Sequence, residues 1–243
     1  MKSLCDDFPA DGIVSIDLAV PAPILTLMSR ISDMTQAADI CIGGGFVRGL
    51  YMQAHMGLNP GINDIDFFVD MSVPHFHRIR PALESLFGHA TRFHIGQFEK
   101  EPRPRGLIDF EIPADHRPFY ATADSIQLNF GPGHVWAKLS RYIAQSNLGI
   151  NRIGIDRDGQ VLASQAFIKD MHHKTMTMNP DLDWTIHNWS RTIRIMKRFG
   201  LERPEFENWQ SILVPHPAHS IAGSFWQNNE GPVADVANGP PSP

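Results

Sequence analysis

The segment Asp64–Asp70, which reads DIDFFVD, constrains the fold of this chain more than any other stretch. Its apolar residues Ile65, Phe67 and Val69 alternate with residues of which three are aspartates. Successive side chains of a β-strand point to opposite faces of its sheet, so this alternation predicts a half-buried strand. One face of the strand enters a core, and the other face carries the carboxylates.

A run of three glycines, Gly43–Gly45, precedes this strand by one predicted helix and one loop. It follows the short apolar run Ile40–Ile42. The residues after it form an apolar stripe with helical spacing, at Phe46, Val47, Leu50, Tyr51 and Ala54. The segment therefore predicts a strand, a glycine turn and a helix. The N-terminus of a helix presents unpaired N–H groups and a positive dipole, which favour a bound anion.

Gly44, Gly45 and Arg48 are accordingly candidate binding residues for a phosphate group. Glycines let the backbone approach a ligand closely, although a glycine run by itself is typical of any close turn. Arg48, in the first turn of the predicted helix, has two interpretations. Its guanidinium either holds a phosphate or carboxylate, or it locks the turn by pairing with an acidic residue.

Asp64 and Asp66 are the candidate metal ligands. The period of two places both carboxylates on one face, about 7 Å apart along the strand. A hard cation such as Mg²⁺ relieves their repulsion, and it typically takes one or two carboxylates together with substrate phosphates. Two such ions about 3.5–4 Å apart can activate an attacking hydroxyl and stabilise a leaving pyrophosphate. A D-x-D pair alone is common on exposed strands, but its combination with a phosphate-binding turn favours nucleotide chemistry.

The remaining pattern alternates helices and strands. Helices are predicted over residues 22–39, 74–87, 135–145 and 185–199. Strands are predicted over 91–98, 107–112 and 125–130, and a hairpin joins 150–156 to 160–163. This order predicts an α/β (α+β) fold, with a small mixed sheet, flanking helices and a short helical C-terminal part. The predicted organisation is a loose lead-in over 1–21, a core over 22–178, a helical extension over 179–215 and a disordered tail over 216–243.

Composition excludes several classes of protein. Of the 243 residues, 42% are apolar and 19% are charged, which is typical of a globular protein rather than a disordered or membrane-spanning chain. The net charge of −5 argues against extended non-specific binding to DNA, which depends on neutralising phosphates. Asp6 and Asp7 stand where a signal peptide needs an apolar core, and two cysteines are too few for a disulfide scaffold. The expected location is therefore the cytoplasm.

The motifs GGGFVRG and NDIDFFVD together resemble those of the DNA polymerase β nucleotidyltransferase superfamily. The chain resembles in particular the head domains of CCA-adding enzymes and poly(A) polymerases, and small nucleotidyltransferase-like proteins of bacteria and phages. The motif match spans residues 42–70, and a weaker similarity continues through SIQLNFGPG, SNLGINRIG, FIKDMHHKTM and RTIRIMKRFG. The resemblance implies a nucleotidyltransferase core. It places Gly44, Gly45 and Arg48 beside the nucleoside triphosphate, and Asp64 and Asp66 on Mg²⁺ or Mn²⁺.

The resemblance also implies a third carboxylate on a later strand. The aligned strand, residues 125–130, carries amides and no acid, and Gly49 stands where CCA-type enzymes usually have aspartate. Asp109 and Glu111 share one face of the preceding predicted strand, and Asp109 is the tentative third catalytic residue. The alternative is that both lie on a solvated edge strand. Without a third acid, activation of the acceptor hydroxyl weakens.

Arg191, Arg194 and Arg198 share one face of the predicted final helix. One interpretation is a clamp on a triphosphate or on an RNA or protein acceptor. The sequence favours the other interpretation, a solvated basic face, because cations near a helix C-terminus are favourable without any ligand.

The sequence thus predicts a metal-dependent nucleotidyltransferase. It would move a nucleoside monophosphate from a nucleoside triphosphate to a hydroxyl or phosphate acceptor and release pyrophosphate. RNA, a protein and a small molecule are all open as acceptors, whereas a complete CCA-adding enzyme is disfavoured because little chain remains for tRNA-gripping helices. The alternatives are a catalytically degenerate module that binds nucleotides or regulates, and a partner-binding protein that keeps only the fold.

Overall fold

The computed structural model describes residues 12–96, 105–179, 186–201 and 203–206. Within them, helices pack against a mixed β-sheet, which confirms the predicted α/β class. The helices are α1 (Ala22–Thr35), α2 (Gly45–Met56), α3 (Val73–Phe87), α4 (Leu139–Gln145), α5 (Gln165–His173) and α6 (Ile186–Phe199). The strands are β1 (Ile13–Ser15), β2 (Ile40–Gly43), β3 (Asp64–Asp70), β4 (Ala90–Gly96), β5 (Arg105–Glu111), β6 (Ser125–Gly131), β7 (Ile153–Ile155), β8 (Val161–Ser164), β9 (Thr175–Met178) and β10 (Arg203–Phe206).

Eight of these strands form one sheet, in the order β1-β8-β7-β2-β3-β6-β5-β4. Strands β3 and β6 run parallel, and the other neighbouring pairs of this sheet are antiparallel. Strands β9 and β10 pair in parallel as a separate two-stranded sheet. The two candidate motifs meet at the centre of the large sheet, because Gly43 of β2 pairs with Asp66 of β3.

The main hydrophobic core includes one face of the sheet and the helices α1 and α3. Strand β3 contributes Ile65, Phe67 and Val69, which are fully buried, as their alternation predicts. Helix α3 contributes Phe76, whose ring stacks on that of Phe130 in β6 with 4.3 Å between the ring centroids. Because this face of β3 is occupied by the core, its aspartates are directed to the opposite face of the sheet.

Two segments differ from the predicted pattern before α5. The lead-in predicted over residues 1–21 contains β1, which pairs with β8 at an edge of the sheet. The helix predicted over residues 135–145 is divided at Lys138, whose backbone is extended with φ of −88° and ψ of 113°. A 3₁₀ turn, Val135–Ala137, precedes this residue and α4 follows it.

The C-terminal part also differs from the predicted pattern. The sequence pattern predicts neither α5 nor β9, and the predicted helical extension over residues 179–215 contains the strand β10 as well as α6. The tail predicted over residues 216–243 lies outside the described residues. In the part of the chain that is described, no helix combines the length and the apolar character needed to cross a membrane.

Asp170 is a fully buried carboxylate that ties α5 to β9. It accepts hydrogen bonds from the N–H of Thr177 at 2.9 Å, from Oγ1 of Thr177 at 2.8 Å and from Oγ1 of Thr175 at 3.0 Å. A Cβ at Gly149 would collide with this carboxylate, so the neighbouring turn packs directly against it. Burial raises the pKa of Asp170 to about 6, against the opposing effect of these hydrogen bonds.

We expect Asp170 to make the protein less stable as the pH rises from about 4 to about 6. Its carboxyl group has an ordinary pKa of 3.8 and a pKa of about 6 in the folded protein. Between these values the native state holds one more proton than the unfolded state, so the free energy of unfolding falls with rising pH. Urea unfolding of wild type and of Asp170→Asn at pH 4 and at pH 7 measures this effect. The free energy of unfolding of wild type should fall relative to that of the variant between the two pH values. An equal difference at both pH values would contradict this assignment.

Candidate active site

The glycine turn lies where β2 ends and α2 begins. Gly44 has a φ of +69°, a left-handed conformation that favours glycine over residues with a side chain. The N–H of Arg48 donates to the carbonyl of Gly44 at 3.1 Å, which is the first turn of α2. The N–H groups of the first turn lack partners within the helix, as at any helix N-terminus, while the N–H of Gly44 donates to the carbonyl of Ile153 at 3.4 Å. The strand, glycine turn and helix predicted from the sequence are therefore confirmed.

Position 43 needs glycine because the ring of Tyr142, a buried residue of α4, packs directly against it. A Cβ at position 43 would lie 2.7 Å from Cε1 of Tyr142 and 2.8 Å from its hydroxyl oxygen. Burial raises the pKa of Tyr142, while a hydrogen bond with Ser146 opposes this effect. The packing of α4 across β2 thus holds a neutral phenol over the glycine turn.

Gly43→Ala is expected to lower the free energy of unfolding by about 1–3 kcal/mol, because overpacking forces a rigid neighbour to move. The cost should fall by about half or more in a Tyr142→Leu background, where the clashing ring is absent. Urea unfolding of wild type, both single variants and the double variant measures this coupling. An equal cost of alanine in the two backgrounds would show that Tyr142 is not the constraint.

Asp64 and Asp66 lie beside the glycine turn. A Cβ at Gly44 would be 3.8 Å from Oδ2 of Asp66, and one at Gly45 would be 3.9 Å from Oδ1 of Asp64. Burial raises the pKa of both carboxyl groups, and the charge of Asp64 raises the pKa of Asp66 further. Ionising both groups together therefore costs free energy, and a bound divalent cation removes that cost.

Arg48 is only 7% exposed and contacts two other parts of the chain. Its Nη1 donates to the carbonyl of Ile150 at 3.4 Å and to Oδ1 of Asn151, and its guanidinium carbon lies 4.5 Å from the ring centroid of Phe199. Its Nε is buried without a hydrogen-bond partner. Burial lowers the pKa of Arg48 to about 10, so the group stays charged at neutral pH.

The two interpretations of Arg48 are thereby resolved in part. The guanidinium does brace a turn, but through the neutral oxygens of Ile150 and Asn151 rather than through an acidic partner. One charged N–H donor is left unpaired in a side chain that lines the same cavity as the aspartates. An anion in this cavity would still be attracted by the buried positive charge of Arg48.

Helix α6 supplies a basic wall of this cavity. Arg191, Arg194 and Arg198 all line it, although their side chains are exposed as the sequence interpretation expects. The charge of Arg191 lowers the pKa of both aspartates, against the effect of burial. Nη2 of Arg198 donates to the carbonyls of Pro60 at 2.6 Å and Gly61 at 2.9 Å, which anchors α6 to the loop before β3. The solvated face thus also borders the acidic pair, as the alternative interpretation of a clamp requires.

The cavity has a volume of about 520 Å³, within the range of small-molecule binding sites. Five of the predicted site residues line it: Gly44, Gly45, Arg48, Asp64 and Asp66. The lining also includes residues that the motifs did not identify: Phe68, Trp136, Tyr142, Asn147 and Asn151. Of these, Phe68 could have been found, since it shares the period-two face of β3 with the aspartates. Asn147 and Asn151 fall within SNLGINRIG, the segment of weaker family similarity, whereas Trp136 and Tyr142 lie on segments distant in sequence and carry no comparable signal.

Asp109, the tentative third carboxylate, lies two strands from Asp66, and in addition to burial its charge raises the pKa of both Asp64 and Asp66. Strand pairing places Asp66, Gln127 and Asp109 in one row across β3, β6 and β5. The backbones at Asp109 and Asp66 are therefore two strand spacings, about 10 Å, apart. It accepts a hydrogen bond from Nε2 of Gln127 at 2.7 Å. Glu111 is engaged elsewhere, with Oε1 3.5 Å from Nη2 of Arg117.

Among the described residues, no three His, Cys, Asp or Glu side chains are grouped closely enough to hold a metal ion. No protein-family model matches the chain, and neither does any curated protein. The functional interpretation therefore depends on the chemistry of the cavity. A pair of carboxylates, a helix N-terminus and a set of arginines in one cavity suit a polyanion that carries a divalent cation.

Proposed function

We propose that this chain binds a nucleoside triphosphate with Mg²⁺ or Mn²⁺ and transfers its nucleoside monophosphate to an acceptor. The observation that carries the proposal is the presence of Asp64 and Asp66 in one cavity with the start of α2 and four arginines. A free anion would be repelled by the carboxylates, and a free cation by the arginines. A polyphosphate that carries a divalent cation satisfies both groups.

The two aspartates fit a hard divalent cation. Mg²⁺ takes one or two carboxylates and completes its coordination with water and phosphate oxygens. When bound, the cation would neutralise negative charge on the phosphates. The raised pKa values of Asp64 and Asp66 support this assignment, because they show that the pair is costly to ionise without a cation.

The proposed reaction is an in-line displacement at the α-phosphorus. An acceptor oxygen forms a bond to this phosphorus, and the bond to the oxygen bridging the α- and β-phosphates breaks. Pyrophosphate leaves with the electron pair, and the acceptor's proton passes to solvent. Arg48, Arg191 and the N–H groups at the start of α2 would donate to phosphate oxygens, so the chain acts mainly through positioning and charge. The acceptor is an RNA, a protein or a small molecule.

A second candidate function is nucleotide binding without transfer. The observation that favours it is the row across β3, β6 and β5, in which the neutral amide of Gln127 stands next to Asp66 and Asp109 lies one strand farther away. A site of this kind keeps what triphosphate binding needs, while the acceptor hydroxyl lacks a nearby carboxylate to assist its deprotonation.

A thermal-shift panel of the four nucleoside triphosphates, with and without Mg²⁺, tests the binding that both candidates share. A ligand at about 100 times its dissociation constant adds about 2.7 kcal/mol. For a chain of this size, that raises Tm by roughly 5–10 °C. A shift that requires Mg²⁺ supports a metal–nucleotide site, and no shift with any nucleotide overturns the proposal.

Transfer is then tested with nucleoside triphosphates labelled at the α-phosphate. The labelled nucleotide is incubated with total RNA, with the protein itself and with a panel of hydroxylated small molecules. Label in a new covalent product supports the transferase. A Mg²⁺-dependent thermal shift without labelled product in any arm favours the second candidate.

A further inference from the structure

Gln127 occupies the position next to Asp66 on the neighbouring parallel strand. The two residues are in register, so their side chains share the face of the sheet that carries the acidic pair. Neighbouring strands are about 4.8 Å apart. A carboxylate at the position of Gln127 would therefore be within reach of a cation bound to Asp66.

The amide of Gln127 has hydrogen-bond partners on both sides. Its Nε2 donates to Oδ1 of Asp109 at 2.7 Å, and its Oε1 accepts from Nδ2 of Asn129 at 3.3 Å. Both polar atoms of the amide are thus used within the sheet. The carboxylate of Asp109 is held by the same contact, on the side of Gln127 away from Asp66.

The number of divalent cations that the site can hold depends on the number of nearby carboxylates and on their distances from the ion. Two divalent cations about 4 Å apart repel each other strongly, so such a site needs a bridging carboxylate and further carboxylates beside it. Gln127 stands between the backbones of Asp66 and Asp109, which are about 10 Å apart, and the Gln127 amide donates to Oδ1 of Asp109 rather than leaving it to a cation at Asp66. Asp64 and Asp66 together supply the charge that balances one divalent cation.

We infer that this site holds a single divalent cation and that Gln127 is the residue that prevents a second from binding. The inference rests on the proposed metal–nucleotide function and refines it. The single cation is accompanied by an anion, since the positive charges of Arg48, Arg191 and Arg194 line the same cavity. The triphosphate would then contact both the cation and the arginines. No second cation would contact the acceptor hydroxyl.

Electron paramagnetic resonance with Mn²⁺ tests the inference without an activity assay. The full chain is titrated with Mn²⁺ alone, and then with Mn²⁺ and one equivalent of α,β-methylene-ATP. Wild type is expected to bind one Mn²⁺ with the six-line spectrum of an isolated ion. Gln127→Glu is expected to bind two, with the broadened spectrum of a coupled pair.

Asn129→Asp is the matched control. It adds the same negative charge to the same face of β6, but its position pairs with Phe68 rather than with Asp66. This variant is expected to keep one Mn²⁺. A second ion in Asn129→Asp would show that added charge, and not the position beside Asp66, determines the count, which would overturn the role of Gln127.

The remaining outcomes separate the inference from the proposed function. A coupled Mn²⁺ pair in wild type overturns the inference and leaves the proposed function standing. One ion in a folded Gln127→Glu protein overturns the role of Gln127. If that variant does not fold, the count in wild type still decides between one ion and two. Failure of wild type to bind Mn²⁺ overturns both the inference and the proposed function.

Discussion

Asp66→Asn is expected to abolish the Mg²⁺-dependent stabilisation by nucleotide while leaving the unliganded protein at least as stable as wild type. The variant removes one of the two carboxylates of the cation site, so the shift of roughly 5–10 °C should disappear. Burial and the charge of Asp64 both raise the pKa of Asp66, so its ionised form lowers the stability of the empty protein at neutral pH. A neutral amide removes that cost.

The Asp66→Asn test is specific because the variant should lose the stabilisation by nucleotide and Mg²⁺ without losing stability when it is empty. A variant that is merely misfolded would lose stability with and without ligand. Asp33→Asn, at an exposed position on α1, is the control and should respond to nucleotide and Mg²⁺ as wild type does. If transfer is detected in wild type, its rate should fall by about 10²–10³-fold in Asp66→Asn, the usual cost of losing one electrostatic group. A full nucleotide shift in Asp66→Asn would exclude this carboxylate from the site.

The local parts of this site could be predicted from the sequence because short-range geometry determines them. The alternation at Ile65, Phe67 and Val69 assigns one face of β3 to the core, and the aspartates must then share the other face. The glycines of the turn between β2 and α2 are likewise recognisable, because only a few backbone conformations connect a strand directly to a helix. These features give the positions of five cavity residues.

The position of a third carboxylate could not be predicted, because it depends on strand order. Asp109 would complete the site only if β5 lay beside β3, but β6 lies between them and places Gln127 there. Strand order is determined by contacts between segments far apart in the chain, and the residue pattern of each strand is the same in either order. The strand order therefore makes Gln127, rather than Asp109, the residue next to Asp66.

The sequence could suggest a role for α6 as a clamp, but it could not establish that role over a solvated face. A basic face on a helix is usually solvated, and nothing in the spacing of Arg191, Arg194 and Arg198 indicates which part of the protein it borders. The contacts that decide the question join residues more than 100 positions apart, such as Arg198 with the carbonyls of Pro60 and Gly61. Tertiary packing thus turns an unremarkable helix face into one wall of the cavity.

Arg48→Met is expected to weaken nucleotide binding by about 10–150-fold while changing the free energy of unfolding by only about 1 kcal/mol. The loss of affinity corresponds to about 1.5–3 kcal/mol, the value of hydrogen bonds that involve a charged group. Stability changes little because two effects oppose each other. Methionine removes a buried charge whose pKa is already lowered by burial, but it leaves the carbonyl of Ile150 without its donor.

Isothermal titration with the best nucleotide from the panel, together with urea unfolding of the empty protein, measures both quantities. Arg48→Lys keeps a charge but lacks the planar guanidinium that stacks on Phe199, so its affinity should lie between those of wild type and Arg48→Met. Arg30→Met, at an exposed position on α1, should leave both quantities unchanged. If Arg48→Met instead loses several kcal/mol of stability and binds nucleotide as wild type does, Arg48 serves the fold alone. An anionic ligand in the cavity would add its negative charge to that of Asp64, which already raises the pKa of Arg48 against the effect of burial.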